Sequence, residues 1–413
     1  MPKNLKDTTL LYFAEEFSTA KAEQFIEQEI NFLADYFKEI HLFVFNNNIS
    51  ECKYSLAPNV RIIDFNLYEA YSRAALLKKH FFSTLGIFIK QLGASANRSS
   101  YLKKAKSYYN SLLHNTSAAF RLSEYISANY DPKQIIVYSF WFNRWMFVLS
   151  LAKYFKPQIV SKILTRTHGG DYDETQTKKF FPFRSFQMSQ VDVIAPVSQY
   201  GERYIRNKYP NYKGQLKHAY LGVPDRGINN AGGSPVFHLV SCSSLIPLKR
   251  VHLVIEILKN TDFPMKWTHF GDGPLRSEVE NKAKDLPASV SFEFKGHVPN
   301  KDFLSYMQQT PVDLFISTSE SEGLPVSLME SIGFGIPVLA TNVGGVSEIA
   351  HAKTGYLIEK DFSPIEVAQI IKAHSKKSPH EITALRKSTR EFYLGHFNSD
   401  TNYLKFLEDN FNA

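Results

Sequence analysis

Hydrophobic and polar positions alternate most regularly in the C-terminal half of this chain. The apolar runs VFHLVSC from Val236, MKWTHFG from Met265, VSFEFKG from Val290, DLFIST from Asp313 and PVLATN from Pro337 are short, and they predict strands. Helical spacing fills the intervals. Val251, Val254, Ile255 and Leu258 fall at i, i+3, i+4 and i+7, and Leu275, Val279, Ala283 and Leu286 share one helical face. Strands that alternate with helices build a parallel sheet covered on both faces, because right-handed crossovers place the helices there. The N-terminal half begins the same way, with strand TLLYFAEEF, a helix from about Ala20 to Phe37 and strand EIHLFVFN. Further strands are predicted at Val60 to Phe65, Gln134 to Ser139, Ser161 to Thr167 and Asp192 to Pro196. Between the halves, NAGGSP from Asn230 to Pro235 has the composition of a linker. The pattern predicts an α/β protein of two doubly wound, Rossmann-like domains, residues 1–228 and 229–390, facing a cleft. Ligands of such sheets bind beyond the carboxyl ends of the strands, so the cleft is the expected site.

Composition agrees with this division. At 413 residues the chain exceeds one ordinary core, and 44% hydrophobic with 21% charged residues is the balance of a soluble globular protein. The net charge of +8 points to anionic partners: nucleotide diphosphates, acidic lipid or nucleic acid. Nucleic acid ranks last, since no zinc-finger spacing and no basic region leading into heptads is present. Cys52 and Cys242 are too few for a disulfide framework or a zinc cluster and suit a reducing cytoplasm, packed and unreactive. Glu15 and Glu16 follow the first apolar stretch where an export signal carries small residues, so none is expected. The most apolar region, Ile135 to Leu151, is interrupted by Asn143 and Arg144, and no membrane span is expected.

The stretch richest in chemistry runs from Ser317 to Glu348, STSESEGLPVSLMESIGFGIPVLATNVGGVSE. A strand ends, a loop holds Glu322 and Gly323, and a helix starts near Pro325, a residue favoured in the first helical turn. The free N–H groups and dipole of such a helix start suit a diphosphate. Glu330 follows in the second turn, about one turn or more beyond Glu322, so one elongated ligand could touch both carboxylates.

Two glutamates separated by seven residues, then Gly333, Gly335, Pro337-Val338 and Gly344-Gly345, resemble the motif of retaining glycosyltransferases of family 4, which have the GT-B fold. Lys249-Arg250, Gly271-Asp-Gly-Pro274 and Lys295-Gly-His-Val298 extend the resemblance over the C-terminal domain. It implies that Glu330 binds the nucleotide ribose and that Glu322 lies by the donor sugar. The backbone of Gly323, Leu324, Pro325 and Val326 would meet sugar hydroxyls and phosphate. Lys249 would neutralise the diphosphate, and the turn from Gly296 to Val298, beside Gly271, would hold the base. Family members usually carry an arginine where this chain has Ser244, and Arg250 is the candidate to replace it.

On the N-terminal side, strand SKILTR runs into Arg166-Thr-His-Gly-Gly-Asp171, which resembles the acceptor-side histidine step of the family and assigns His168 to the anomeric carbon. A lone histidine is otherwise a satisfied core residue. Where the family has a glycine-rich loop after the first strand, this chain has Glu15-Glu16-Phe17-Ser18-Thr19, and no diphosphate contact is carried over. PFRSFQMSQVDVIAPVSQYGERYIRNKYP and AYLGVP resemble members that build bacterial surface polysaccharides. The segment Leu76 to Leu92 mixes phenylalanines with Lys78, Lys79 and Lys90, and reads equally as a membrane-interface helix or a packed one. Residues 391–413 end in a capped helix at Ser399 that by resemblance crosses back to the first domain.

The resulting expectation is a cytoplasmic enzyme, peripheral on the inner membrane face, that transfers a sugar from a UDP or GDP donor to a hydroxyl of a glycan or lipid-linked acceptor. Catalysis falls to His168, Glu322 and Lys249, with no metal and no cofactor beyond the nucleotide sugar. The rivals are an epimerase or phosphorylase on the same scaffold, and a non-catalytic nucleotide-sugar-binding subunit.

Overall fold

The computed structural model describes residues 5–15, 24–45, 55–65, 73–94, 102–174, 180–229 and 236–411. Contacts divide the chain into two units, Met1–Val197 with Gly201–Ala219 and Tyr403–Ala413, and Ser198–Tyr200 with Tyr220–Asn402. The division falls at residues 219 and 220, ahead of the 228/229 boundary read from composition. Residues beyond it are held in the second unit: the Tyr393 hydroxyl donates to the Val223 carbonyl at 2.8 Å, and the Asn229 amide donates to the Met307 carbonyl at 2.6 Å. The linker stretch itself, Cys52 and the loop residues Glu16, Phe17, Ser18 and Thr19 lie outside the described residues.

The first unit contains β1 (Leu5–Ala14), α1 (Gln24–Ala34), β2 (Phe37–Val44), β3 (Val60–Ile63), α2 (Arg73–Ala94), α3 (Ala105–Asn129), β4 (Ile135–Ser139), α4 (Arg144–Phe155), β5 (Ile163–Thr167), α5 (Gly169–Tyr172), α6 (Arg184–Met188), β6 (Val193–Pro196), most of α7 (Gln199–Lys208) and β7 (Gln215–Leu216). Its strands lie in the order β3-β2-β1-β4-β5-β6-β7, every pair parallel. The polar break at Asn143 and Arg144 is where the loop after β4 ends and α4 begins. Beyond it Trp145 to Ala152 are all buried, and the Trp145 indole donates to the Ala14 carbonyl at 2.8 Å.

The second unit contains β8 (Phe237–Cys242), α8 (His252–Leu258), β9 (Met265–Phe270), α9 (Arg276–Ala283), β10 (Val290–Gly296), α10 (Asn300–Gln309), β11 (Leu314–Ser317), α11 (Val326–Gly333), β12 (Val338–Thr341), β13 (Gly355–Ile358), α12 (Pro364–Ser375) and α13 (Pro379–His396). Its all-parallel order is β10-β9-β8-β11-β12-β13. The helical stripe of Val251, Val254, Ile255 and Leu258 packs with Leu239, Trp267 and Leu314 in one core. Each sheet reverses its winding once, between β1 and β4 and between β8 and β11, and the crevices that open there are where doubly wound folds take ligands. The segment 391–413 is divided between the units. From Tyr403 onward α14 (Ser399–Phe411) belongs to the first, where Phe406 lies 3.7 Å under the buried Arg166 guanidinium.

Candidate functional site

The crevice of the second unit is built by the loops that leave β8 and β11. The first turns through Pro247–Lys249 and places Arg250 in the left-handed region at φ 47°. The second carries Glu322 and Gly323. Across the crevice the Lys249 ammonium donates to Glu322 Oε1 at 2.6 Å, with both side chains mostly buried. Gly323 is tied down in turn by the Gly345 N–H, which donates to its carbonyl at 2.9 Å. Pro325 precedes the first residue of α11, and no side chain caps this helix. The N–H groups of its first turn, from Val326 on, therefore have no intrahelical acceptor, and they form an anion-binding end.

Glu330 lies in the second turn of α11 and is buried. Its Oε1 accepts from the Asn300 amide at 2.9 Å, a neutral donor from the start of α10. Burial pushes this carboxyl up to about 7, and the Asn300 bond opposes the shift only in part. The Cys242 thiol, at the end of β8, is pushed up to about 12 by burial and by the charge of Glu330, which fits the packed thiol expected.

Arg250 departs from expectation. Its guanidinium donates to the carbonyls of Thr318 at 2.8 Å and Lys360 at 2.9 Å, so it ties the end of β11 to a neighbouring turn. Lys295 pairs with Glu293 at 2.6 Å, an exposed ion pair.

The Gly271 and Gly296 turns meet as a backbone bridge, with the Gly271 N–H donating to the Gly296 carbonyl at 2.8 Å. Both have positive φ, 130° and 67°. A Cβ on Gly271 would sit 1.9 Å from the Ser243 carbonyl oxygen, so glycine is required where the loops after β8 and β9 touch. Val298 is half-buried just beyond this turn.

In the first unit His168 follows β5, as expected, and begins α5. Its N–H and that of Phe142 both donate to Asp171 Oδ2, at 3.0 and 3.2 Å, which joins the loops after β4 and β5. The Arg184 guanidinium reinforces the joint, donating to the Phe142 and Asp171 carbonyls at 2.7 Å each. The imidazole is packed against Phe140 and Trp141, with ring centroids 4.9 and 4.1 Å away. Among the described residues neither of its buried nitrogens makes a hydrogen bond, though Nδ1 lies 3.5 Å from Asp171 Oδ2. Trp141 Nε1, Asn143 Oδ1 and Thr167 Oγ1 are likewise buried without a hydrogen bond among those residues. Sequence reasoning missed Trp141 and Asn143, although the rule that found His168 applies to them: they follow the carboxyl end of β4, next to the crevice of the sheet.

The paired Rossmann-like units define the class of the molecule, that of the GT-B glycosyltransferase fold. The HepE protein of Anabaena, solved in complex with UDP and glucose, matches with a TM-score of 0.63 at 14% identity, over 97% of this chain and 99% of that one. Likeness at that identity shows fold alone. Residues 232–391 match the family described as glycosyl transferases group 1. The matched part of the chain holds the whole Lys249, Glu322 and Glu330 site. Among relatives, the putative colanic acid biosynthesis glycosyltransferase WcaL of Escherichia coli is 24% identical over 258 residues, 58% of this chain and 62% of its own. The amylovoran biosynthesis glycosyltransferase AmsK of Erwinia amylovora is 25% identical over 213 residues, 48% and 51% of the two chains. The matches thus span less than two thirds of these relatives.

Proposed function

We propose that this protein is a retaining glycosyltransferase of surface-polysaccharide synthesis, moving a sugar from a UDP or GDP donor to a hydroxyl of a glycan or lipid-linked acceptor. The observation that carries the reading is Glu330. A carboxyl buried behind an uncapped helix start, with one amide donor and its protonation poised near neutrality, is suited to accept the two hydroxyls of a ribose whose diphosphate lies on that helix start. Lys249 supplies positive charge for the departing diphosphate, and Glu322 releases it and turns to the donor sugar. Gly323, Leu324, Pro325 and Val326 form the backbone wall of the phosphate site. Gly271, Gly296 and Val298 form the turn for the base. Among the described residues no group of three metal-ligating side chains is present, and this reading assigns leaving-group stabilisation to Lys249 and the helix dipole. His168, on the first unit, is assigned a hydrogen bond to the sugar in transfer.

The test is calorimetric titration of UDP and GDP. Ribose hydroxyls donate to a carboxylate, so the ionised form of Glu330 binds and the protonated form does not. For a group titrating near 7, affinity should rise about tenfold from pH 6 to pH 8, the ratio of the ionised fractions. Glu330→Ala should weaken binding about tenfold or more at pH 8 and remove the part of the pH dependence that Glu330 contributes, leaving that of the terminal phosphate of the nucleotide. An unchanged dissociation constant in the folded variant rejects the ribose assignment.

A further inference from the structure

We propose that α2 and the start of α3 form a docking face for an anionic lipid surface. This inference goes beyond sugar transfer and does not depend on it. Its first support is the distribution of charge. Between Ala70 and Ser123 the chain has nine basic residues and no acidic one, so this stretch carries +9 while the rest, with 39 basic and 40 acidic residues, carries −1. The net positive charge of the protein is thus accounted for by one stretch, and a carboxylate that could neutralise it is absent from either helix until Glu124.

The second support is the way α2 is turned. Its inward stripe is Leu76, His80, Thr84, Ile87 and Gln91, three of the five polar. Inside, Thr84 donates to the His80 carbonyl at 2.8 Å and the His80 ring stacks on Phe120 at 5.2 Å, while His80 Nε2 is buried without a hydrogen-bond partner among the described residues. Large apolar side chains are left outside, Phe82 at 89% and Ile89 at 58% exposure, with Phe81 beside them. Phe82, Gly86 and Ile89 are one turn apart on the outward face, flanked by exposed Lys78, Lys79 and Lys90. Leu85 and Phe88, also apolar in this segment, are half-buried, and Phe88 packs on Tyr109 of α3 at 5.0 Å. At the start of α3 the pattern repeats, with exposed Leu102 next to exposed Lys103, Lys104 and Lys106.

An ordinary packed helix buries its apolar residues and exposes its polar ones. Here apolar side chains emerge among lysines, the composition of a helix that lies in a lipid headgroup layer. Attraction to phosphate alone would leave Phe82, Ile89 and Leu102 without a role, so an anionic bilayer fits better than a nucleic acid. The surface also has depth. A cavity of about 470 Å³ opens beside Gly86 and Lys90, walled by Tyr154, Phe186 and Tyr209, and a Cβ added at Gly86 would meet nothing within 4 Å.

The experiment is sedimentation of the full chain with vesicles of phosphatidylcholine alone and of phosphatidylcholine with an equal part of phosphatidylglycerol. Binding to the anionic vesicles only, falling as salt is raised, is the expected result. Lys78→Glu with Lys79→Glu should weaken it about fivefold for each charge neutralised, and more for the reversal. Phe82→Ser with Ile89→Ser should weaken it at every salt concentration. All four positions are exposed, so melting temperature should be unchanged. Equal sedimentation with both vesicles, or binding untouched by both double variants, overturns the proposal. So does a dimer in sedimentation velocity that the Phe82 and Ile89 changes convert to monomer, because a second copy then covers the face.

Discussion

At the scale of single residues, His168 is distinguished by what its ring does not do. Neither ring nitrogen makes a hydrogen bond among the described residues, with Nδ1 3.5 Å from Asp171 Oδ2, and the loop is held by the His168 N–H donating to that carboxylate. His168→Phe should keep the packing against Phe140 and Trp141 and lose only the nitrogens. Turnover should then fall on the order of 10²-fold, with little change in nucleotide affinity or melting temperature. Steady-state kinetics and a melt on one preparation check this, and full activity in the variant would assign the ring to structure. The positions of His168, Glu322, Glu330 and Lys249 were legible because each follows a strand end or sits in a helix at fixed spacing. The use of Arg250 was not, since its left-handed backbone turns the side chain onto the Thr318 and Lys360 carbonyls, which are distant in sequence.

At the scale of elements, the binding loops of the second unit are shaped by close backbone approach. The loops after β8 and β9 are joined by the Ser243 N–H to the Phe270 carbonyl and the Leu245 N–H to the Asp272 carbonyl, both at 2.9 Å. Gly271→Ala would push a methyl into the Ser243 carbonyl and strain a residue at φ 130°. Equilibrium denaturation should show a loss of about 2 kcal/mol or more, with weakened UDP binding in the fraction that remains folded. Wild-type stability and affinity in this variant would mean that the turn is free to move. The main strands of both sheets were readable from apolar runs, though their ends differ by a few residues because the flanking residues continue the apolar pattern into loops. Helix α1 ends at Ala34, short of the Phe37 that the pattern included, since Phe37 opens β2; Ala20 to Glu23 lie outside the described residues. β7 and β13 escaped notice: two and four residues at sheet edges are too short to show a period. Whether Leu76 to Leu92 packs or faces outward could not be read from its sequence, because the inward stripe of α2 is itself partly polar.

At the scale of the whole molecule, the two units have separate sheets and different chemical characters. The first carries the excess positive charge on α2 and α3 and the unpartnered polar atoms around His168. The second carries the buried carboxyl, the lysine and the uncapped helix start of the proposed nucleotide site, and it is the part that matches the glycosyl transferases group 1 family. Its doubly wound order was legible because strand and helix alternate without long insertions. The unit boundary was less so, since Tyr220 to Asn229 is held in the second unit by hydrogen bonds to residues more than 70 positions away. The activity proposed for the protein is sugar transfer from a nucleotide donor with retained anomeric configuration. It is tested most directly by incubating the full chain with a panel of UDP- and GDP-sugars and polyprenyl-linked glycan acceptors, following nucleoside diphosphate release and the product anomer by NMR. Release of UDP or GDP from one donor, an α-linked product from an α-linked donor, and loss of both signals in Glu330→Ala are the expected results. An inverted product, or no binding of any nucleotide sugar by the folded protein, would contradict it.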